Sequence, residues 1–333
     1  MLAAPSMPTT AATGTARALW WTRPLTAALL EESLPAPRPG EVLLRALVSG
    51  VSRGTEALVA RGLVPASEGA RMTCPNQAGA FPFPVKYGYA LVGRVEQGPG
   101  ELFGRAVFCL HPHQDRVVLP AEAVLPLPEG VPAARAVLAA NVETALNALW
   151  DAPALPGQRI LVLGAGVVGA AVARLAGRLP GAEVTLVDRD PARAGLAAAL
   201  GVGFAAPEAA PAEADLVVEA TGRPEALATA IAAAGSEATI LVLSWYGAAA
   251  APVPLGGAFH SRRLRLVSSQ VGEVAPAQRP RWPHRRRLAK ALELLADPAF
   301  DALVDRELAF ADAPAGLPAI LAAPSGLCTR ITY

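Results

Sequence analysis

Cysteine is scarce in this sequence. Cys74, Cys109 and Cys328 stand far apart in 333 residues, with no C-x-x-C spacing. This argues against a disulfide framework and against a cysteine-rich zinc site. Lysine is scarcer still: Lys86 and Lys290 are two of 29 basic residues, so the composition leans toward Arg and Ala and a single arginine says little about a site. No charge of one sign dominates. The formal net charge is +1, which gives no reason to expect nucleic acid or an anionic membrane surface as a partner. Apolar runs stay short of membrane-spanning length, because Arg174 and Arg178 break the stretch after Gly169. Residues 1–15 are rich in Ala, Thr and Pro and have no basic start leading into an apolar core. A frayed leader on a cytoplasmic protein is expected there rather than a signal peptide.

What is present suits an ordered globular chain: 53% hydrophobic and 17% charged residues. The length suggests two domains. Residues 16–60 have the pattern of short strands and turns, with a strand over Glu41–Val48 followed by a polar turn. Residues 61–84 carry many Gly and Pro and predict a long irregular loop, the kind that often acts as a lid or binding loop. Strands are expected near 91–97, 105–109 and 116–119. After Pro132 the character changes. A helix is expected over 133–150, then strands and helices alternate: Ile160–Leu163, Val167–Leu179, Glu183–Val187, Pro191–Leu200, Leu216–Glu219, Pro224–Ala234, Ile240–Leu243 and Leu264–Ser268. Such alternation with near-continuous apolar strands predicts a doubly wound parallel sheet. A helix over 285–296 and a mixed tail follow.

The strongest motif is Leu163-Gly164-Ala165-Gly166-Val167-Val168-Gly169. It follows an apolar strand, opens a helix, and is followed by Asp188 nineteen residues beyond Gly169. That is the context of a dinucleotide-binding turn. Gly164 permits the tight turn, Gly166 the approach of a pyrophosphate, and Gly169 close helix–strand packing. The helix start at Val167 and Val168 offers N–H groups and a partial positive charge to the phosphates. Asp188 is placed to accept from the ribose hydroxyls, which favours NAD over NADP, although Arg189 and Arg193 nearby could clamp a 2′-phosphate. The segments Glu219-Ala220-Thr221-Gly222 and Ser244-Trp245-Tyr246-Gly247, with Thr221 and Ser244, end later strands and are expected to border the cofactor.

With these motifs in place, the chain resembles the medium-chain dehydrogenase/reductase superfamily over nearly its whole length. The resemblance implies an α/β fold: a β-rich GroES-like catalytic domain over residues 1–150, a Rossmann domain over 151–275, and a segment 276–333 returning to the first domain. Zinc-dependent members carry a C-x-T-D turn, a later G-H-E, and a Cys or Glu before the dinucleotide domain. This chain has Arg53-Gly54-Thr55-Glu56, Gly88-Tyr89-Ala90 and Glu143. Arg53 therefore stands at the cysteine position and Tyr89 at the histidine position. A shift of one puts Ser52 at the former, which is no better as a ligand. The four-cysteine structural zinc lobe is also missing. Catalytic zinc needs three ligands drawn from Cys, His and carboxylates, so no metal is expected. The segments Ser49–Glu56 and Lys86–Tyr89 are similar to a zinc-lacking branch, that of bacteriochlorophyllide hydroxyethyl dehydrogenase. The match is local, and the chlorin substrate is not carried over.

These readings imply a zinc-independent NAD(P)-dependent oxidoreductase that interconverts a secondary alcohol and a ketone, acting on a small molecule as a homodimer or homotetramer. Tyr89 is the first candidate for the proton donor or oxyanion partner. Lys86 and Arg53 are expected to lower its pKa, and Thr55 to relay protons. Glu143 could pair with Arg53, replacing metal with a salt bridge. A reductase of activated C=C bonds and a non-catalytic nucleotide-binding protein remain open alternatives. The run Cys109-Leu110-His111-Pro112-His113 looks metal-like but is better explained as structural, although one histidine could face the cleft. The cluster Arg279, Arg281, Arg285, Arg286 and Arg287 is more readily a solvated helix start than an anion site. Trp20-Trp21 is expected to pack in the first domain.

Overall fold

The computed structural model describes residues 12–323 and 325–333. Most of the leader expected at 1–15 lies outside the described residues; residues 12–15 open the first strand. Strands β1 (Ala12–Arg23) and β2 (Thr26–Pro35) form a long antiparallel ribbon. It was expected as shorter strands, because the alternation that marks it is blurred by alanine. Trp21 is fully buried, while Trp20 is half-buried and donates from its indole to Glu32 at 2.7 Å. The ribbon joins β4 (Ala78–Gly79) and β5 (Val85–Lys86) in one sheet, in the order β2-β1-β5-β4.

A second sheet runs β16-β17-β3-β6-β7-β9, with β8 also paired to β3. Its members are β3 (Glu41–Val51), β6 (Leu91–Gln97), β7 (Ala106–Cys109), β8 (Arg116–Pro120), β9 (Val124–Pro126), β16 (Val304–Ala309) and β17 (Cys328–Thr332). The last strand lies antiparallel on β3, so the chain does return to its first half. The polar turn expected after β3 is a helix, α1 (Arg53–Ala60), because Ala57, Val59 and Ala60 present a buried helical stripe. Within the expected loop at 61–84 a short helix, α2 (Gly69–Met72), and β4 interrupt the irregular backbone.

Residues 133–150 form two helices rather than one, α3 (Ala133–Ala136) and α4 (Ala139–Asp151). Strand β3 crosses the break so closely that a Cβ on Gly50 would lie 2.8 Å from the Val137 carbonyl. The parallel sheet then follows: β10 (Arg159–Leu163), β11 (Glu183–Val187), β12 (Gly203–Ala205), β13 (Ala214–Glu219), β14 (Ala234–Val242) and β15 (Arg265–Ser268). Its order is β12-β11-β10-β13-β14-β15 and every pair is parallel. Helices α5 (Val167–Ala176), α6 (Arg193–Leu200) and α7 (Ala226–Ala233) connect the strands. Ile160 to Leu163 are all buried, as a strand covered on both faces requires. The edge strand β12 escaped the sequence reading because three residues carry no periodicity. Helices α8 (His284–Leu294) and α9 (Ala313–Ala322) complete the chain. Among the described residues no helix is long and apolar enough to cross a membrane.

His111 records how tightly the first half is closed. It is buried, its Nδ1 lies 2.9 Å from the Pro112 carbonyl, and burial pushes its imidazole down to about 4. The unfolded chain keeps the ordinary value near 6.5. Between those values the unfolded state binds the proton and the folded state does not, so stability is full above about pH 6.5 and falls as the pH drops toward 4. The loss should reach about 3 kcal/mol. Urea unfolding at pH 7, 5.5 and 4.5 should show this slope in the native chain and a flatter one in His111→Phe. Equal slopes in both would contradict it.

Candidate functional site

The glycine turn fits a dinucleotide. Gly164 has φ +99° and a Cβ there would meet the Ala220 carbonyl at 2.6 Å, so only glycine holds this turn. At Gly169 a Cβ would come within 2.0 Å of the Gly164 carbonyl, which locks α5 against β10. Around Gly166 the opposite holds: a Cβ meets nothing within 4 Å, leaving the backbone open to a ligand. Gly166 caps α5 without any side-chain hydrogen bond, so the N–H groups that follow at Val167 and Val168 face that space. Asp188 ends β11 beside the turn. Its Oδ2 accepts from the Ala165 N–H at 2.8 Å and its Oδ1 from the Asp190 N–H at 2.9 Å. Arg193 pairs with Asp190 at 3.7 Å. Ser244 accepts from the Gly222 N–H at 2.8 Å, so the ends of β13 and β14 are tied together.

Tyr89 is half-buried and packs against two core clusters, one within the β-rich part and its returning tail and one that runs from the β-rich part into the parallel-sheet part, which puts it at the seam between them. Its hydroxyl donates to Ser52 Oγ at 2.5 Å. Asn141 Nδ2, from α4, reaches the same oxygen at 3.4 Å. Burial pushes the phenol up to about 12, with side-chain hydrogen bonds to Ser52 and Thr55 working against the rise. Thr55 lies in the first turn of α1, three residues after Ser52. Beneath them lies a fully buried set. Glu56 accepts from the Ser52 N–H at 2.7 Å and contacts His113 Nε2 at 3.1 Å. His113 Nδ1 lies 2.8 Å from Ser49 Oγ, and Ser49 Oγ lies 2.9 Å from the Tyr333 hydroxyl. His113 also fills the space beside Gly88, where a Cβ would come within 3.1 Å of its ring. The start of α1, and with it Ser52 and Thr55, is thus held rigidly under Tyr89.

Three expected partnerships are corrected. Glu143 does not pair with Arg53. Its Oε1 lies 3.0 Å from Nε of Arg287 on α8, with both side chains buried. The helix-to-helix contact that decides this is long-range, so local sequence could not supply it. Arg53 instead donates to the carbonyls of Ala323 and Gly326, and its buried Nε has no partner. Burial first, then the charge of Arg193, lowers its pKa. Lys86 is buried against Glu32 at 2.6 Å and Gln114 at 2.9 Å. Neither cation is among the groups that shift Tyr89, and its pKa rises rather than falls.

His111 and His113 are both buried and satisfied within the protein, His113 through Glu56 and Ser49. Among the described residues no three His, Cys, Asp or Glu side chains gather as a metal site. Of the arginine cluster, Arg279, Arg281, Arg285 and Arg286 are exposed, whereas Arg287 is buried. Ser52, Asn141 and Arg287 carry no sequence signal for these roles: Ser52 stands out only as a poor metal ligand, and a buried arginine is hidden among four exposed neighbours.

No protein-family model matches the chain. Solved structures do. The chain is similar to L-idonate 5-dehydrogenase from Escherichia coli (TM-score 0.78, 15% identity, 96% of this chain and 99% of that one). It is also similar to a thermostable alcohol dehydrogenase from Pyrobaculum aerophilum (TM-score 0.76, 20% identity, 96% and 100%). A third is a short chain alcohol dehydrogenase from Escherichia coli CFT073, complexed with NADH (TM-score 0.75, 16% identity, 96% and 100%). At these identities the shared property is the fold: an antiparallel β-rich part joined to a six-stranded parallel sheet.

Proposed function

We propose that this chain is an NAD-dependent oxidoreductase that interconverts a secondary alcohol and a ketone without catalytic zinc. The observation that carries the reading is the Tyr89 hydroxyl, held by Ser52 at the seam between the halves, in a chain that also has an open glycine cradle. Solved structures of similar fold that are described as two alcohol dehydrogenases, one of them complexed with NADH, and an L-idonate 5-dehydrogenase support it. Gly164, Gly166, Gly169 and the start of α5 would hold the pyrophosphate. Asp188 would hold the adenosine ribose, with Arg53 and Arg193 facing the phosphates. When bound, the nicotinamide supplies the hydride chemistry.

The chain's own task is one oxygen and one proton. With its pKa pushed up to about 12, Tyr89 keeps its proton at neutral pH, and when substrate binds that one proton turns from Ser52 Oγ to the substrate oxygen. Ser52 Oγ is approached by Tyr89 and Asn141, so the Ser52 proton is free to point to a third oxygen. Thr55 flanks the same hydroxyl and completes a short path for the proton. Zinc does not fit this arrangement: Arg53 and Tyr89 stand where two ligands are needed, and Glu143 is committed to Arg287.

Two measurements test the reading. Secondary alcohols should give NADH production, enones offered with NADH should not be turned over, and a strong chelator should leave the rate unchanged. About one tightly held zinc per chain, lost together with activity on chelation, would overturn the zinc-free mechanism. Asp188→Gly should weaken NAD binding by roughly tenfold while NADP binding holds or improves, as expected from losing a carboxylate–hydroxyl contact. A native chain that binds NADP more tightly than NAD would contradict the ribose assignment.

A further inference from the structure

Glu219 is fully buried at the carboxyl end of β13. Its Oε1 accepts from the backbone N–H of Thr221 at 2.8 Å and from the Thr221 hydroxyl at 2.5 Å. Its Oε2 accepts from the Tyr246 phenol at 2.5 Å. All three donors are neutral, and Glu219 enters no ion pair among the described residues. Three donors converging on one side chain suit a carboxylate, and a buried charge of this kind lacks only a counter-charge. Burial, and then donation to Glu219, push the Tyr246 phenol up, so Tyr246 stays a neutral donor to this carboxylate.

The sheet order says what faces this carboxylate. Strand β10 is central, with β11 on one side and β13 on the other. Asp188 ends β11 and Glu219 ends β13, so the two acids flank the glycine turn on opposite sides. A dinucleotide laid across this crevice with its adenosine ribose at Asp188 must carry its second nucleotide over β13 and β14. The loop after β14 closes that side. Tyr246 is tied to Glu219, and at the next residue, Gly247, a Cβ would lie 3.4 Å from the Leu63 carbonyl in the other half of the chain.

We infer that Glu219 gives the nicotinamide side of the crevice a fixed negative charge that favours the cationic oxidised ring over the neutral reduced ring, with Thr221 and Tyr246 as its positioning residues. The inference rests on the proposal above that the chain binds a nicotinamide dinucleotide. Its consequence is a bias of the bound cofactor toward the oxidised form. The oxidised and reduced rings are nearly alike in size and differ in charge, so a buried charge separates them.

The test reads affinity rather than turnover. Dissociation constants for NAD and for NADH are measured separately, by quenching of tryptophan fluorescence and by calorimetry, on the full chain. Glu219→Gln is expected to raise the ratio Kd(NAD)/Kd(NADH) on the order of tenfold, which for a two-electron couple corresponds to about 30 mV in the bound potential. Glu219→Asp and Tyr246→Phe keep the charge and should hold the ratio within about twofold of the native value. Ser244→Lys, at the end of the neighbouring strand, brings a cation beside Glu219 and should move the ratio as Glu219→Gln does, which serves where the latter fails to fold. An unchanged ratio in folded Glu219→Gln or Ser244→Lys overturns the inference while leaving dinucleotide binding intact. So does a tenfold change in Glu219→Asp. A native chain that binds neither NAD nor NADH overturns the proposed function and this inference together.

Discussion

Tyr89→Phe is expected to lower kcat by roughly 10²–10⁴ while leaving the affinity for NADH nearly unchanged. The substitution removes one oxygen and keeps the ring. That ring stacks edge-on to Tyr87 with centroids 6.0 Å apart and packs on both core clusters, so the fold has little reason to change. What disappears is the donor to Ser52 and, in the proposed mechanism, the donor to the substrate oxygen. The proposed cofactor contacts lie at the ends of β10 and β11 and the start of α5, on other elements than Tyr89, which separates the effect on kcat from any effect on binding. Ser52→Ala should give a smaller loss of the same kind, because it frees Tyr89 without deleting the phenol. Nearly full turnover in Tyr89→Phe would show that the tyrosine merely fills the space between the two halves.

Arg287→Met should destabilise the chain by roughly 3–5 kcal/mol, the usual cost of leaving one member of a buried ion pair alone. Arg287 is 1% exposed and reaches four partners: Glu143 at 3.0 Å, Asn147 Oδ1 at 2.5 Å, and the carbonyls of Glu273 at 3.1 Å and Val271 at 2.5 Å. Removing the guanidinium strands a carboxylate that burial already pushes toward protonation, since the Glu143 pKa is raised by desolvation against the pull of Arg287. Denaturant unfolding at pH 7 gives the loss directly. Glu143→Gln combined with Arg287→Met should recover part of it, because the double variant has no stranded charge. A loss below about 1 kcal/mol would mean that the pair behaves like an exposed one.

The fold was legible where the chain repeats a simple pattern. Ile160–Leu163 and Glu183–Val187 stand out as apolar runs, each followed by a helix with its own signals, and the glycines at 164, 166 and 169 announce the turn between β10 and α5. The first half was harder. Alanine-rich strands blurred the alternation of β1 and β2, and α1 looked like a turn because its first turn holds Gly54 and Thr55, both poor helix formers. The partners of charged residues were the weakest part of the reading. Arg53, Glu143 and Lys86 were assigned to one another and to Tyr89 from their positions in motifs, yet each is committed elsewhere.

By itself the sequence determined the parallel sheet and the glycine turn with Asp188 at its side. These are local: periodicity, glycine conformation and residue identity act within a few positions. Only the tertiary structure decided that Glu56 and His113 share one buried site, 57 positions apart, that Arg287 is the partner of Glu143 across 144, and that Tyr333 closes on Ser49 across 284. Such pairings depend on which elements the packed core brings together. An exposed and a buried arginine are written with the same letter, so burial, which sets the strength of a charge, is absent from the sequence until the chain has folded.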